Sequence, residues 1–157
     1  MTPAINTAKK QNISHIIHQY VHDVKATSYG IEAAEKLAVD PKNIFKTLVV
    51  SLDDGRLAVA VIPVLDKLSM KSVAKALAAK KAVMADKVLV ERTTGYVLGG
   101  VSPLGQKKSL LTVLDQSAQA LDTLYVSAGK RGLEIELKPS DLIKLTRGKF
   151  ASISQLI

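Results

Sequence analysis

The chain has 157 residues, of which 47% are hydrophobic and 23% charged, the balance of an ordinary globular protein. It contains no cysteine, which excludes disulfide bonds, thiolate catalysis and sulfur-ligated metal sites. Its 22 basic residues outnumber its 14 acidic ones, so the net charge of +8 favours an anionic partner, with nucleic acid the first candidate. Because aromatic residues are only 4%, the base-stacking platform of an RNA-recognition motif is not expected.

The length favours one domain over residues 1–157 and gives no reason to expect two. The N-terminus lacks the apolar core of a signal peptide, and no apolar run reaches the length of a membrane span. We therefore expect a single-domain cytoplasmic protein without membrane association.

The first 64 residues predict an alternation of helices and strands. Thr2 followed by Pro3 is a helix start, since threonine caps and proline fits the first turn. Asp53-Asp54-Gly55 separates two β-branched apolar runs and predicts a hairpin. Neither run alternates cleanly, so both strands are expected to be covered on both faces. The predicted elements are a helix over 3–11, a strand over 15–21, a helix over 30–39, a turn at 40–41 and strands over 45–52 and 56–64.

The three histidines of the chain, His15, His18 and His22, fall within the second of these elements or just after it. On a helix they would share one face, whereas on a strand His18 and His22 would flank Tyr20 and His15 would point away. Beyond Asp23 no local carboxylate completes a metal site, so we expect no metal.

The second half predicts three helices and three strands. Ser69 caps a lysine-rich helix whose basic face is either solvated or a track for an RNA backbone; Lys71, Lys75 and the pair Lys107 and Lys108 are the candidates. The predicted elements are helices over 69–80, 86–93 and 139–145, strands over 110–114, 123–126 and 133–137, and a basic glycine-bearing turn over 127–132. The last strand alternates perfectly and is predicted to be half exposed.

Residues 94–109 (TGYVLGGVSPLGQKKS) hold four of the nine glycines and link two apolar segments. Gly99-Gly100 and Pro103 disfavour a helix and predict a shaped loop. Free N–H groups beside positive charge would suit an oxyanion, a phosphate or a carbonyl, but a tight turn after a strand explains the same residues.

Two sharper motifs fail in this loop. A phosphate-binding P-loop needs Lys-Ser/Thr directly after its second glycine, but Gln106 intervenes and Pro103 removes an N–H. Ser102 is not in a nucleophile elbow, because Leu104 replaces the second glycine of that motif.

Lys46 interrupts the start of a predicted core strand, between Phe45 and Thr47. Such a lysine either snorkels to the strand end or holds a cation on a rigid element beside a cleft.

Three stretches, 45–49 (FKTLV), 99–103 (GGVSP) and 128–136 (AGKRGLEIE), give the chain a resemblance to a known family. It resembles the YbaK family of free-standing Cys-tRNA(Pro) deacylases, related to the editing domain of bacterial prolyl-tRNA synthetases, over essentially its whole length. The resemblance implies a mixed α+β fold (α/β in the broad sense), in which an irregular barrel-like mixed sheet is surrounded by helices. It also implies trans-editing, the removal of a wrong amino acid from the tRNA 3′ end.

The same resemblance implies the site. Lys46 matches the essential lysine, and Gly99 and Pro103 match a G-x-x-x-P loop that holds the ester carbonyl and amino group. Gly100, Val101 and Ser102 complete that loop. The substrate's own thiol is the implied nucleophile, with no metal or cofactor, and the implied partners are mischarged Cys-tRNA(Pro), also Cys-tRNA(Cys), and prolyl-tRNA synthetase. The implied pocket residues are Tyr20, Tyr29, Phe45, Thr47, Ser127 and Glu134.

Two other classes of function remain open at this level. A catalytically silent basic RNA-binding or adaptor module would keep the lysine-rich helices but has no need of Lys46 inside a core strand. A nucleotide-phosphate enzyme using residues 100–109 is disfavoured by the broken P-loop spacing.

Overall fold

The computed structural model describes residues 1–26 and 28–156, and it has the mixed α+β fold class that was predicted. Its helices are α1 (Pro3–Lys10), α2 (Tyr29–Leu37), α3 (Met70–Ala76), α4 (Lys87–Thr94) and α5 (Pro139–Thr146), with 3₁₀ turns at Pro41–Asn43 and Gln116–Ala120. Its strands are β1 (His15–Gln19), β2 (Phe45–Leu52), β3 (Leu57–Pro63), β4 (Lys67–Leu68), β5 (Ala82–Met84), β6 (Leu111–Asp115), β7 (Leu124–Lys130), β8 (Leu133–Leu137), β9 (Lys149–Ala151) and β10 (Ser154–Gln155).

The barrel-like arrangement takes the form of three sheets, none of which closes within the described residues. The largest has five strands in the order β5-β2-β3-β6-β9, with β6 parallel to both β3 and β9. A three-stranded antiparallel sheet has the order β1-β8-β7, and β4 pairs with β10. An isolated bridge between Ile44 and Tyr125 links the two larger sheets beside the start of β2.

The five-stranded sheet is covered on both faces, as predicted. Val59 and Val61 of β3 pack into a core shared with β7 and β8. Ala60 and Ile62 pack into a second core with Val73 of α3. Because successive strand residues point to opposite faces, two cores require an apolar run without alternation.

Several helix starts and turns lie where local sequence signals predicted them. Thr2 Oγ1 accepts a hydrogen bond from the Ile5 N–H at 3.3 Å at the start of α1. The predicted hairpin joins β2 to β3, and Gly55 in its turn has φ +89°. The ambiguous segment over 15–21 is the strand β1.

The predicted helix over 69–80 is too long, because α3 ends at Ala76. Ser69 caps it as expected, its Oγ accepting from the Ser72 N–H at 3.2 Å. Ala78 then adopts a left-handed φ of 56°, and the Ala79 N–H bonds to the Ala74 carbonyl at 2.9 Å. The chain turns into β5, an edge strand that the sequence analysis missed.

The predicted basic turn over 127–132 is mostly strand. β7 continues to Lys130, which pairs with Leu133, and the pairing register shifts between Ser127 and Lys130. The prediction that β8 is half exposed is wrong at Glu134, which is 7% exposed. Its side chain faces a cavity rather than the surface.

No helix among the residues that the structure describes combines the length and the apolar character that crossing a membrane requires.

Candidate active site

A cavity of about 450 Å³ opens between the first half of β2 and the hairpin formed by β7 and β8. This volume lies in the range of small-molecule sites in proteins. The sequence-predicted residues that line it are Tyr20, Tyr29, Phe45, Lys46, Thr47, Gly99, Val101, Ser127 and Glu134. Residues from four separate parts of the sequence thus meet at one place.

The β2 wall presents a cation and an unpaired hydroxyl. Lys46 lies opposite Ile62 of β3 and is half-buried. Burial lowers the pKa of Lys46, and the negative charge of Asp66 opposes that shift. The neighbouring Thr47 Oγ1 is buried without a hydrogen-bond partner among the described residues. A buried unpaired hydroxyl is costly, so this wall is suited to a polar ligand.

The opposite wall presents a buried carboxyl group. Glu134 lies between Ser127 of β7 and His18 of β1 in the sheet. Burial raises the pKa of Glu134 to about 8, so the group is largely protonated at neutral pH. Burial, together with the charge of Glu134, also raises the pKa of Tyr20 to about 12. Around Glu134 and Tyr20 this wall therefore offers neutral hydrogen-bonding groups rather than a negative charge.

The glycine-rich loop lies across one side of the cavity, but only part of it faces the interior. Gly99 has φ +94°, and a Cβ there would lie 2.7 Å from Cε2 of Tyr29. Gly100 packs against the backbone of Lys130, where a Cβ would lie 2.8 Å from the Cα atom. Both positions thus require glycine, one for its backbone conformation and both for the close approach.

The remaining predicted loop residues lie behind the cavity. Gly100, Ser102 and Pro103 do not line it, and the Ser102 side chain is fully buried at 0% exposure. Ser102 Oγ accepts a hydrogen bond from the Leu104 N–H at 3.2 Å, and the Tyr96 hydroxyl donates to the Leu104 carbonyl at 2.6 Å. Ser102 therefore shapes the loop and is not positioned as a nucleophile.

Several lining residues were not predicted as site residues. Lys130 and Arg131 are the most important of them, since both bring positive charge to the cavity. The sequence signal for both residues is the basic, glycine-bearing turn predicted over 127–132. Gly30 was missed as well; a Cβ there would lie 1.9 Å from Cγ2 of Val64. The other unpredicted lining residues are Ser28, Leu48, Val64 and Leu98.

The three histidines have separate partners. His15 Nδ1 lies 2.6 Å from the Ile13 carbonyl, and His18 Nε2 lies 2.9 Å from Glu136 Oε1. His22 Nδ1 lies 2.6 Å from Glu32 Oε1. In residues 1–26 and 28–156, no three His, Asp or Glu side chains are grouped as metal ligands.

The four lysines that the sequence analysis proposed as an RNA track are all exposed. We call them the lysine track: Lys71, Lys75, Lys107 and Lys108. The backbone of the latter two is anchored, because their N–H groups bond to the Thr94 and Thr93 carbonyls at 2.9 and 3.1 Å.

The cavity combines cations, neutral hydrogen-bonding groups and a glycine-rich backbone loop along one side. Among the described lining residues there is no histidine or cysteine, and so no hydroxyl or thiol paired with an imidazole base. The arrangement is suited to binding a substrate, orienting it and stabilising charge, and it offers no ready protein nucleophile.

Comparison with known proteins points to one family. The profile of the "Aminoacyl-tRNA editing domain" matches residues 25–145. The "Putative Cys-tRNA(Pro)/Cys-tRNA(Cys) deacylase EbsC" of Enterococcus faecalis (strain ATCC 700802 / V583) is 46% identical over 156 residues, covering 94% of this chain and 95% of EbsC.

Two solved structures share the fold over nearly the whole chain. The "hypothetical protein APE2540" is 25% identical with a TM-score of 0.86, covering 98% of this chain and 99% of its own. A "putative trans-editing enzyme for prolyl tRNA synthetase" is 20% identical with a TM-score of 0.81, covering 97% and 92%. With the family profile spanning most of the sequence and a relative this similar, the chain belongs to the aminoacyl-tRNA editing domain family.

Proposed function

We propose that this protein is a trans-editing deacylase that cleaves the ester bond of mischarged Cys-tRNA(Pro), with Cys-tRNA(Cys) as a second substrate. Family membership supports action on an aminoacyl-tRNA, and the name of EbsC supports the choice of amino acid. The observation that carries the proposal is the cavity itself. It brings Lys46 together with Thr47, whose buried Oγ1 has no hydrogen-bond partner among the described residues, and with the buried side chain of Glu134.

The proposed substrate fits the distribution of polarity in this cavity. The aminoacyl group would occupy the inner part, where Thr47 Oγ1 and the Glu134 carboxyl supply hydrogen bonds to its polar atoms. Lys46 would anchor the 3′-terminal nucleotide from β2, a strand held by pairing on both sides along part of its length. Binding the substrate would then relieve the cost of burying the Thr47 hydroxyl, which has no partner among the described residues.

No hydroxyl or thiol among the described lining residues is paired with an imidazole base, which is compatible with substrate-assisted cleavage. The cysteine sulfur bonds to the ester carbonyl carbon, and the bond from that carbon to the ribose oxygen breaks. The thiol proton ends on the released ribose hydroxyl, and the cysteine leaves as a cyclic thiolactone. Holding the thiol against the carbonyl contributes about 7–11 kcal/mol when the reacting atoms are well aligned.

The loop would stabilise the oxyanion that forms on the carbonyl. The Gly100 N–H already donates to the Val97 carbonyl at 2.9 Å, so it is not available. We assign this role to the N–H groups of Gly99 and Val101, the two residues of the loop's G-x-x-x-P stretch that line the cavity. One such donor contributes roughly 3 kcal/mol in other acyl-transfer enzymes.

We also propose prolyl-tRNA synthetase as a partner and the cytoplasm as the site of action. The cavity is of a size for the aminoacylated end of a tRNA, and nothing in the described fold resembles an anticodon reader. A bound synthetase would supply the tRNA identity that this cavity does not read. The excess of positive charge supports only general RNA affinity.

The test is a deacylation assay with Cys-tRNA(Pro), Cys-tRNA(Cys), Ala-tRNA(Pro), Ser-tRNA(Pro) and Pro-tRNA(Pro). We expect release of cysteine from both cysteinyl substrates and near-background rates for the others, because serine offers only a weakly nucleophilic hydroxyl. Equal rates with serine and cysteine would overturn the thiol mechanism. Binding of tRNA without any deacylation would favour the silent RNA-binding module instead.

A further inference from the structure

Arg131 is a cation in the cavity for which the described fold supplies no counter-ion. Its guanidinium carbon lies 3.3 Å from the centroid of the Tyr29 ring, and the residue lines the cavity. Within residues 1–26 and 28–156, it forms no ion pair with an acidic side chain, and its Nε is buried without a hydrogen-bond partner. Cation–π contact stabilises such a group only in part, so its hydrogen-bond donors are suited to an external anion.

Close backbone approaches hold this arginine in place. It lies in the turn between β7 and β8, and the turn is packed tightly on both sides. On one side Gly100 contacts the Lys130 backbone; on the other, a Cβ at Gly132 would lie 2.7 Å from the Tyr20 carbonyl oxygen. The Tyr29 ring beneath Arg131 rests in turn against Gly99. A binding group fixed in this way loses little conformational entropy when a ligand arrives.

The chemistry of the substrate identifies the anion, if the proposed function holds. At the aminoacylated end of a tRNA the amino acid carries an ammonium group, and the terminal ribose and adenine are neutral. The anion nearest to them is the phosphate on the 5′ side of the terminal adenosine. A guanidinium presents a planar pair of donors that matches a phosphate, which an ammonium does not.

We infer that Arg131, stacked on Tyr29, is the binding residue for the phosphate that precedes the terminal adenosine. This inference rests on the proposed function. It gives each of the cavity's two walls one part of the substrate to bind. Arg131 of the hairpin holds this phosphate, while Lys46 of β2 anchors the nucleoside part of the same nucleotide, next to the ester. Glu134 does not neutralise the arginine, because burial keeps its carboxyl largely protonated.

The test is an NMR titration of the whole protein with adenosine 5′-monophosphate and, separately, with adenosine, which lacks the phosphate. We expect the wild type to bind the monophosphate about tenfold more tightly, the scale of a hydrogen-bonded charge pair. Arg131→Ala removes that preference while leaving the adenosine affinity near its original value. Arg131→Lys should show only part of the wild-type preference for the monophosphate, and Lys46→Ala should keep that preference. The matched control is Arg92→Ala, which removes an exposed arginine of α4 that does not line the cavity.

The outcomes separate this inference from the proposed function. No preference in the wild type, or a preference that survives Arg131→Ala, overturns the phosphate assignment even if deacylation is observed. A preference that depends on Arg131 without any deacylation leaves the phosphate site standing and overturns the deacylase. A loss of preference in Lys46→Ala alone assigns the phosphate to Lys46 instead. The melting temperature and the dispersion of the NMR spectrum check that each variant is folded. If Arg131→Ala does not fold, Arg131→Lys is compared with the wild type instead.

Discussion

The two walls of the cavity are built in different ways. The β2 wall belongs to a sheet with apolar cores on both faces, and Lys46 is held by strand pairing with β3. The hairpin wall belongs to the three-stranded sheet, whose strands carry polar pairs such as His18 with Glu136 at 2.9 Å. It also buries the carboxyl group of Glu134, whose pKa is raised by desolvation. One wall is a rigid apolar frame with one cation, and the other concentrates titratable groups.

This difference indicates how the fold combines stability with a polar site. A sheet covered on both faces stabilises the chain and fixes the position of Lys46. Burying the Glu134 carboxyl in the hairpin wall is unfavourable for stability, because desolvation disfavours its charged form. Substitutions on the first wall should therefore change activity, whereas those on the second should also change the pH dependence of stability.

The largest effect is expected for Lys46→Ala. Removing the ammonium that anchors the 3′-terminal nucleotide should reduce Cys-tRNA(Pro) deacylation by about 100-fold, the scale for a substrate misplaced by about 1 Å. The melting temperature should change little, because Lys46 forms no ion pair within 4.0 Å among the described residues. Lys46→Arg should recover only part of the activity, since the planar fork differs in shape from an ammonium.

The control for this comparison is Lys67→Ala, which removes an exposed strand lysine outside the cavity. It should leave both deacylation and melting temperature unchanged. Near-wild-type turnover by Lys46→Ala would contradict the assignment of Lys46 as the central site residue.

Glu134→Gln tests the hairpin wall through pH. The folded-state pKa of Glu134 is raised from 4.5 to about 8, so the folded protein keeps a proton that the unfolded chain releases. The contribution of Glu134 to the unfolding free energy is therefore fully present below about pH 4.5 and is lost as pH rises towards 8. At about 1.36 kcal/mol per pKa unit, the loss amounts to about 5 kcal/mol at most. Glutamine cannot ionise, so the unfolding free energy of Glu134→Gln should exceed that of the wild type increasingly from pH 5 to pH 9 in urea titrations.

Glu136→Gln is the control on the same strand, with the opposite sign. Burial acts against its charge, but hydrogen bonds from Thr123 and His18 hold the pKa of Glu136 below its usual value. Its contribution to stability is present above pH 4.5 and is lost as pH falls further. Glu136→Gln should therefore destabilise the protein at neutral pH, and the difference should shrink in acid. The same pH profile for both variants would contradict the distinction between them.

Gly99→Ala tests the loop that closes the cavity, and Gly55→Ala is its matched control. Both glycines have positive φ, +94° and +89°, so alanine should cost about 1–3 kcal/mol of unfolding free energy at either site. A Cβ at Gly55 meets nothing within 4 Å, whereas at Gly99 it displaces the Tyr29 ring. Only Gly99→Ala should therefore lower kcat/KM, by roughly 10- to 100-fold. Equal activity of the two variants would show that the Tyr29 contact does not matter to the reaction.

A smaller effect is expected from the lysine track, outside both walls. Reversing its four charges to glutamate should weaken tRNA binding. The slope of log K against log salt should also become shallower by about 1 for each phosphate that the protein no longer neutralises. Reversing Lys9 and Lys10, exposed on α1, is the control. A salt slope that is the same for the track variant and the wild type would rule out the track as an RNA-binding surface.

No effect is expected from metal removal. Treatment with EDTA should leave deacylation at the untreated rate, because the proposed reaction uses the substrate thiol and the side chains of the cavity. Activity that EDTA abolishes and Zn²⁺ restores would show that a metal site was missed.

The sequence alone determined the elements whose signals are local. Thr2 with Pro3, the Asp53-Asp54-Gly55 turn and the apolar runs around it fix their structure through capping, turn chemistry and periodicity. The resemblance of the three motifs to a known family then indicated the cavity residues on β2 and β8. The local elements were confirmed because each depends on a short stretch of chain. Several of the indicated residues line the cavity, and their roles stay predictions.

Only the tertiary structure decided the features that arise between distant segments. The edge strand β5 forms because β2 offers an unpaired edge, and α3 ends early at Ala76 to reach it. The alternation of β8 predicts one exposed face, yet Glu134 is buried, because the cavity walls enclose it. The position of Arg131 over Tyr29 depends on glycine contacts between segments that are far apart in sequence. Burial and strand pairing of this kind depend on tertiary contacts between distant segments, so a local sequence pattern does not predict them.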